Sequence, residues 1–177
     1  MAAFTVIDHT EIGTGGAAVW SETGISGSYD HLLLIASIRS EQPSIDYDII
    51  DMRFNGITSS VYTTTDLAAN SATPTTTTTT ARGDFNGAVW PGGVSTADTF
   101  GCLKIWIPHY ANSTNFKQVF MSSTSGPASA SNTDWALRVV AGLWAQTAAV
   151  TQIDIRSGYA ADHAEFSTFT LYGITGA

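Results

Sequence analysis

Cysteine and charge are both scarce in this sequence of 177 residues. Cys102 is the one cysteine, so no disulfide can form within a chain. It lies in the apolar run GCLKIWI, which predicts a buried thiol in a strand.

Charged residues make up 12% of the chain, about half of the roughly 25% that is usual in globular domains. Thr, Ser, Ala, Asn and Gly replace them, which indicates a polar, weakly charged surface of the kind often buried in assemblies.

Basic residues are few, at seven Lys and Arg against fifteen Asp and Glu, and the net charge is −8. The basic residues are scattered along the chain rather than clustered. Binding of nucleic acid through its phosphates requires a basic face, so we expect no nucleic-acid partner. Binding to an anionic membrane surface is disfavoured for the same reason.

Long apolar runs are missing as well. No stretch approaches the 18 or so consecutive apolar residues of a transmembrane helix, so the sequence predicts no membrane span. The first residues, MAAFTVIDHTEIG, carry neither a basic region nor a long apolar segment, and we expect no signal peptide. The corresponding expectation is synthesis in a cytoplasm.

The motifs of common catalytic and metal sites are absent from the sequence. The four histidines, His9, His31, His109 and His163, show no HExxH or other close metal-binding spacing. There is no GxSxG motif, and the glycine-rich GTGGAA at 13–18 lacks the Lys of a phosphate-binding loop. We therefore expect no catalytic residue, no cofactor and no metal ion.

Three short segments nevertheless allow a functional interpretation beside a structural one. Residues 162–165, with His163 among them, could form an acid–base or metal site, but a solvated turn between strands is favoured. Asp46 and Asp48 share a strand face and could bridge a cation, although the Gly turn and the Glu of a calcium loop are missing. The Arg-Gly-Asp tripeptide at 82–84 matches an adhesion motif, but a turn at its glycine is favoured.

Apolar and polar residues alternate through most of the chain, which is the pattern of half-buried β-strands. Turn-forming residues separate these segments and predict about eight to ten strands. The expected fold class is therefore all-β, an antiparallel β-sandwich of jelly-roll type, with a single domain over residues 1–177. A helix over residues 135–144 is conceivable, but Val139, Val140 and Gly142 favour a central strand.

Two stretches lack this alternation. Residues 67–93 form a predicted long Thr-rich loop, and within it Phe85, Val89 and Trp90 are predicted anchors for docking to a partner. Part of this loop could instead be an edge strand, since Thr favours β-structure. Residues 122–134, rich in Ser and Ala, are predicted to form a second, mobile loop.

Aromatic residues complete the candidate interface. Trp106 and Trp144 are assigned to strand faces opposite the main apolar set, and Tyr172 to the face of the last strand opposite Phe169 and Leu171. Exposed aromatics could contact another subunit or stack on a sugar, while core or interface packing is the favoured interpretation. The predicted interface residues are therefore Phe85, Val89, Trp90, Trp106, Trp144 and Tyr172.

Several segments in order resemble a family of small β-sandwich structural proteins encoded by tailed bacteriophages. The segments are SGSYDHLLLIASIRS at 26–40, DMRFNG at 51–56, IWIPHYAN at 105–112, GLWAQTAAVTQIDI at 142–155 and FSTFTLYGI at 166–174. This resemblance implies a virion component with a β-sandwich domain that is often trimeric. Relatives of this kind include capsid decoration, tail and fibre proteins.

The resemblance leads to a specific expectation of function. We expect a non-enzymatic capsid decoration, or cement, protein that forms a homotrimer and binds the major capsid protein at the virion surface after synthesis in the host cytoplasm. A tail or fibre module that binds a receptor or host glycan is the alternative.

Overall fold

The chain folds into β-strands joined by turns, in a computed structural model that describes residues 3–70, 73–126 and 136–176. Within those ranges twelve strands and no helix are present. In chain order the strands are β1 (Ala3–Glu11), β2 (Trp20–Thr23), β3 (His31–Ile38), β4 (Tyr47–Phe54), β5 (Tyr62–Asn70), β6 (Thr73–Arg82), β7 (Val89–Pro91), β8 (Gly101–Pro108), β9 (Lys117–Ser125), β10 (Ala136–Trp144), β11 (Gln152–Ser157) and β12 (Thr168–Thr175).

These strands form two antiparallel sheets that pack face to face. The larger sheet has eight strands in the order β1-β12-β3-β8-β9-β10-β5-β6, and the smaller has four in the order β2-β11-β4-β7. The predicted all-β antiparallel sandwich is therefore confirmed. A division into eight and four strands differs from an eight-stranded jelly roll, so that finer prediction is not confirmed.

The predicted loop at 67–93 is wrong, because most of this segment is strand. The Thr-rich run is β6, an edge strand that pairs with β5, while Val89–Pro91 is β7 and pairs with β4. These two strands raise the number above the predicted eight to ten, and the edge-strand alternative for the Thr-rich run is correct. β6 shows no apolar alternation because residues 74–81 are largely exposed on both faces of the strand. The second predicted loop, at 122–134, begins within β9, and its residues 127–134 lie outside the described residues.

The core lies between the two sheets and follows the predicted alternation. In β8, for example, Leu103, Ile105 and Ile107 have no exposed surface, while Lys104 between them is exposed. Burial of each such side chain contributes about 1.5–3 kcal/mol. The larger inward side chains from both sheets are Leu32, Leu34, Ile38, Ile50, Met52, Phe54, Leu103, Ile105, Ile107, Met121, Val140, Ile153, Ile155, Phe169 and Leu171.

An aromatic cluster closes the end of the core where β5 and β10 meet. The ring centroid of Phe85 lies 5.2 Å from that of Phe54 and 4.8 Å from that of Tyr62. Gly142 of β10 makes this packing possible, because a Cβ atom there would lie 2.7 Å from Phe85 Cδ1. The strand interpretation of this segment is thus confirmed, and its glycine has a packing reason.

His163 is buried, which corrects the prediction of a solvated turn. It has no exposed surface, and its ring packs between those of Trp90 and Phe169, with centroid distances of 5.7 and 5.2 Å. Nε2 lies 3.1 Å from the carbonyl oxygen of Ile155, so this nitrogen carries the proton that is donated. Nδ1 is buried without a hydrogen-bond partner among the described residues.

This environment makes protonation of His163 costly. Burial lowers the pKa of His163, against the opposing effects of the Ile155 carbonyl and of the Asp48 and Asp162 carboxylates. A second proton would sit on Nδ1, where no described acceptor could stabilise the charge.

We therefore predict that the fold loses stability in mild acid through His163. The unfolded chain binds the proton with an ordinary pKa of about 6.5 and the folded chain with a lower one, so stability is complete above that value and declines below it. The free energy of unfolding should fall by up to about 1.4 kcal/mol per pH unit from pH 6.5 down to the pKa of the folded state.

Urea unfolding of the wild type and of His163→Gln at several pH values between 7.5 and 5, roughly the range over which histidine titrates, checks this prediction. The variant should show the shallower dependence, and the exposed-site control His9→Gln should follow the wild type. Equal slopes for the wild type and His163→Gln would contradict the prediction.

Candidate functional site

Four of the six predicted interface residues lie in the core of the chain itself. Phe85, Val89 and Trp90 have no exposed surface, and Trp144 is 1% exposed. These side chains already pack within their own chain and offer no surface to a partner. The prediction that they act as interface anchors is wrong.

The local structure explains each of these placements. Val89 and Trp90 form β7 along one edge of the smaller sheet, and Phe85 pairs with Met52 of β4 in an isolated bridge. Trp144 pairs with Tyr62 across β10 and β5, and both side chains point inward. β10 carries apolar residues on both faces, so the alternation of apolar and polar residues does not show which of its faces points into the core.

Trp106 and Tyr172, in contrast, lie on the surface of the larger sheet that faces away from the smaller sheet, here called the outer face. Strand pairing places a continuous line of apolar side chains across six neighbouring strands of this face. This line, the apolar row, consists of Val6, Tyr172, Leu33, Trp106, Phe120 and Ala141, each directly opposite the next.

A groove of about 510 Å³ follows one half of the apolar row. Its walls come from β1, β12, β3, β8 and β9, and are formed by Phe4, Leu33, Lys104, Trp106, Phe120, Ser122 and Ile174. Phe4 is 62% exposed and Phe120 is 51% exposed, although both are large apolar side chains. Exposed apolar surface concentrated in one place indicates a binding surface.

The other half of the outer face carries a second apolar feature. Leu67 of β5 and Leu137 of β10 are 50% and 49% exposed. Val139 lies directly opposite Leu67 and on the same strand face as Leu137. We call these three residues the leucine patch, and they project from the strands next to the groove on its β9 side.

Charge is almost absent from the outer face. The eight strands contain three acidic residues, and two of them point inward: Asp8, which accepts a hydrogen bond from Trp20 Nε1, and Asp66, which is 6% exposed. Among the described residues of these eight strands, Glu11 and Lys104 are the only charged ones whose side chains project from the outer face. A chain of net charge −8 therefore keeps its acidic residues away from this surface.

Two imidazole rings extend the groove at its Trp106 end. The ring of His31 lies 4.9 Å from that of Trp106 and 4.8 Å from that of His109, between centroids. His31 Nδ1 accepts a hydrogen bond from the backbone N–H of His109 at 3.1 Å. No sequence pattern indicates this cluster, because the two histidines are 78 positions apart and are brought together by the pairing of β3 with β8.

Cys102 is exposed, so the prediction of a buried thiol is wrong. It occupies an outward position of β8, two residues before Lys104. Leu103 and Ile105 are inward residues of this strand, as its alternation predicts, and Cys102 lies on the same strand face as Lys104 and Trp106.

The acidic segments also take structural roles. Asp48 is buried and accepts hydrogen bonds from Ser40 Oγ at 2.6 Å and from the Ile49 N–H at 2.7 Å, whereas Asp46 is exposed. The two carboxylates do not share an open face. Within the described ranges no group of three or more His, Cys, Asp or Glu side chains could hold a metal ion.

The Arg-Gly-Asp tripeptide is part of the packed structure. Arg82 Nε donates to Asp84 Oδ1 at 2.7 Å, and Asp84 is 9% exposed. A Cβ atom on Gly83 would lie 2.5 Å from the Thr58 carbonyl oxygen, so glycine is required where the chain passes Thr58.

No helix among the described residues has the length and apolar character needed to cross a membrane.

Comparison with known proteins gave no match: no family model fits this chain, and neither the curated proteins nor the solved structures contain one that is significantly similar to it.

The contrast between core and outer-face aromatics predicts losses of stability of very different size. Trp90→Ala should lower the free energy of unfolding by about 3–5 kcal/mol, because it opens a cavity in the core. Phe120→Ala should lower the free energy by less than about 1 kcal/mol, because half of the ring is already in water. Urea unfolding at a protein concentration low enough to avoid association measures both, and equal losses would contradict the assignment of the two surfaces.

Proposed function

We propose that this chain is a non-enzymatic structural protein of a bacteriophage virion, a capsid decoration protein that forms a homotrimer and binds the major capsid protein. It would be synthesised in the host cytoplasm and would reside at the capsid surface, without a nucleic-acid or membrane partner. The observation that carries the structural role is the outer face, an extended apolar surface with almost no charge.

Such a surface suits permanent contact between proteins. Core regions of stable interfaces are depleted of charge and enriched in aromatic residues, as the groove is with Phe4, Trp106 and Phe120. The most deeply buried titratable groups serve the fold, which also supports a structural role. Lys117, for example, is 1% exposed and donates to the carbonyl oxygens of Asn115 and Thr147.

The virion part of the proposal rests on the resemblance to small phage structural proteins. Its segments correspond to β3, to the turn after β4, to the end of β8, to the β10–β11 connection and to β12. They therefore include three of the central strands of the larger sheet.

A glycan-binding tail module is the second candidate, and the exposed ring surface in the groove is what favours it. Trp106 could stack on a sugar ring, with Lys104 and Ser122 as hydrogen-bond donors beside it. The lining of the groove is mainly apolar, however, and a sugar requires more polar partners than these two. Micromolar binding to one class of sugar on a glycan array would favour this second candidate.

Location on the particle tests the proposal. Cryo-electron microscopy of virions from the phage that encodes this chain should show trimers on the head, in a fixed ratio to the major capsid protein. Particles that lack the chain should lose infectivity on heating or osmotic shock about tenfold faster, equivalent to about 1.4 kcal/mol of barrier, and added purified protein should restore the rate.

Density at the tail tip alone, or absence of the chain from purified virions, would contradict the capsid assignment. Particles of normal resistance without the chain would contradict the stabilising role.

A further inference from the structure

We infer that copies of this chain associate head to tail through the outer face, with the leucine patch of one copy seated in the groove of the next. This inference rests on the proposed function, because it supplies the contact between copies in the proposed homotrimer. It assigns the occupant of the groove, which is a second copy of the same chain.

Charge is the first argument for a second copy. Two chains of net charge −8 repel each other, and the repulsion is smallest where acidic residues are absent. Glu11, at one edge strand, is the one acidic residue on the described outer face. If the partner were another protein with a charged surface, complementary charges on the outer face would be expected. Among the described residues of its eight strands, Lys104 is the only basic side chain that projects from the outer face, so the outer face does not show this pattern.

Area is the second argument. Eight strands about 4.8 Å apart, each with eight to ten residues rising about 3.3 Å, give the outer face an area of roughly 1,100 Å². A stable interface of standard size buries about 800 Å² on each partner. A ring divides the outer face between two neighbours, with roughly 550 Å² for each, so its contacts are of the smaller class and the closed ring is held by three of them.

Shape pairs the leucine patch of one copy with the groove of another. The groove lies over β1, β12, β3, β8 and β9 and the leucine patch over β10 and β5, so the face has one concave end and one projecting end. A reciprocal two-fold contact, with each leucine patch in the other copy's groove, would stop at two chains. The proposed trimer therefore requires the head-to-tail contact, in which Leu67 and Leu137 of each copy enter the groove of the next and the ring closes at three chains.

Single substitutions at either end test this contact in the full chain. Phe120→Asp places a charge in the groove, and Leu137→Asp places one on the leucine patch. Light scattering should give the mass of three chains for the wild type and of one chain for each variant, with circular dichroism confirming the fold. Tyr159→Asp is the matched control, since Tyr159 is 49% exposed but follows β11 of the smaller sheet, and it should keep the mass of three chains.

Mixing the two variants tests whether the leucine patch binds the groove. The Phe120→Asp chain keeps an intact leucine patch and the Leu137→Asp chain keeps an intact groove, so one contact can form between them and no ring can close. The mixture should therefore give a complex of two chains, whereas each variant alone stays a monomer. Two monomeric variants that do not combine would overturn the contact, and a wild type with the mass of two chains would overturn its head-to-tail arrangement.

Cys102 provides a second measurement on the unmodified protein. Its thiol is exposed on the outer face, so thiol labelling of the wild type should slow as the protein concentration rises and the face becomes covered. The labelling rate of the Phe120→Asp variant should not depend on concentration. A wild type that stays monomeric, or that labels equally fast at all concentrations, would overturn the inference.

Failure of this inference and failure of the proposed function give different results. A monomeric wild type found on virion heads would overturn the contact between copies and leave the capsid role intact. Association as expected in the light-scattering and mixing experiments, together with absence of the chain from virions, would overturn the capsid role and leave the contact between copies intact.

Discussion

Burial of the two inner faces against each other is the interaction on which the rest of this structure depends. The two sheets that share this core are unequal, since one has eight strands and the other has four. The smaller sheet cannot cover the larger one, so β6 remains exposed on both faces and β1 is exposed along most of its length. A sandwich of two layers has no third layer to cover its outside. The same arrangement that forms the core therefore leaves the outer face, with its apolar row, in contact with solvent.

Alternation of apolar and polar residues predicted the strands that have one buried and one open face. In β4, β8 and β12 buried residues alternate with more exposed ones, because burial on one side is what produces the alternation. β3 was predicted to be covered on both sides, but Ile35 on its outward face is 43% exposed. The prediction failed where this condition is not met. β6 is exposed on both sides, β7 has only three residues, and β10 is apolar on both sides, so none of the three shows which face points inward. Trp144 was assigned to the wrong environment for the same reason. Cys102 was predicted to be buried because it lies in an apolar run, although the alternation of β8 places it outward.

The candidate site could be predicted only in part, because it is a property of strand order. Trp106 and Tyr172 were correctly assigned to outward positions, but their neighbours in the apolar row come from strands at both ends and in the middle of the chain. Which strands lie side by side is determined by the packing of the whole sheet, and alternation within one strand carries no information about it. The near absence of charge was visible in the composition, whereas its concentration on one face became visible only after the register was known. His163 shows the same limit, since three polar residues near a turn gave no sign that one of them lies between two aromatic rings.

The position of β12 has a consequence for how the chain reaches this structure. β12 lies between β1 and β3 and pairs with both, from Ala3 opposite Thr175 to Ser37 opposite Thr168. It comes last in chain order among the twelve described strands, so it is synthesised after both of its neighbours. Until β12 emerges, β1 has no neighbour in the sheet and the backbone N–H and C=O groups along one edge of β3 stay unpaired. Contacts this distant along the chain form slowly, and unpaired strand edges are sites of aggregation. A nascent chain would thus carry an open sheet edge until β12 has been synthesised, and interruption of translation before β12 would leave a product that cannot complete the larger sheet.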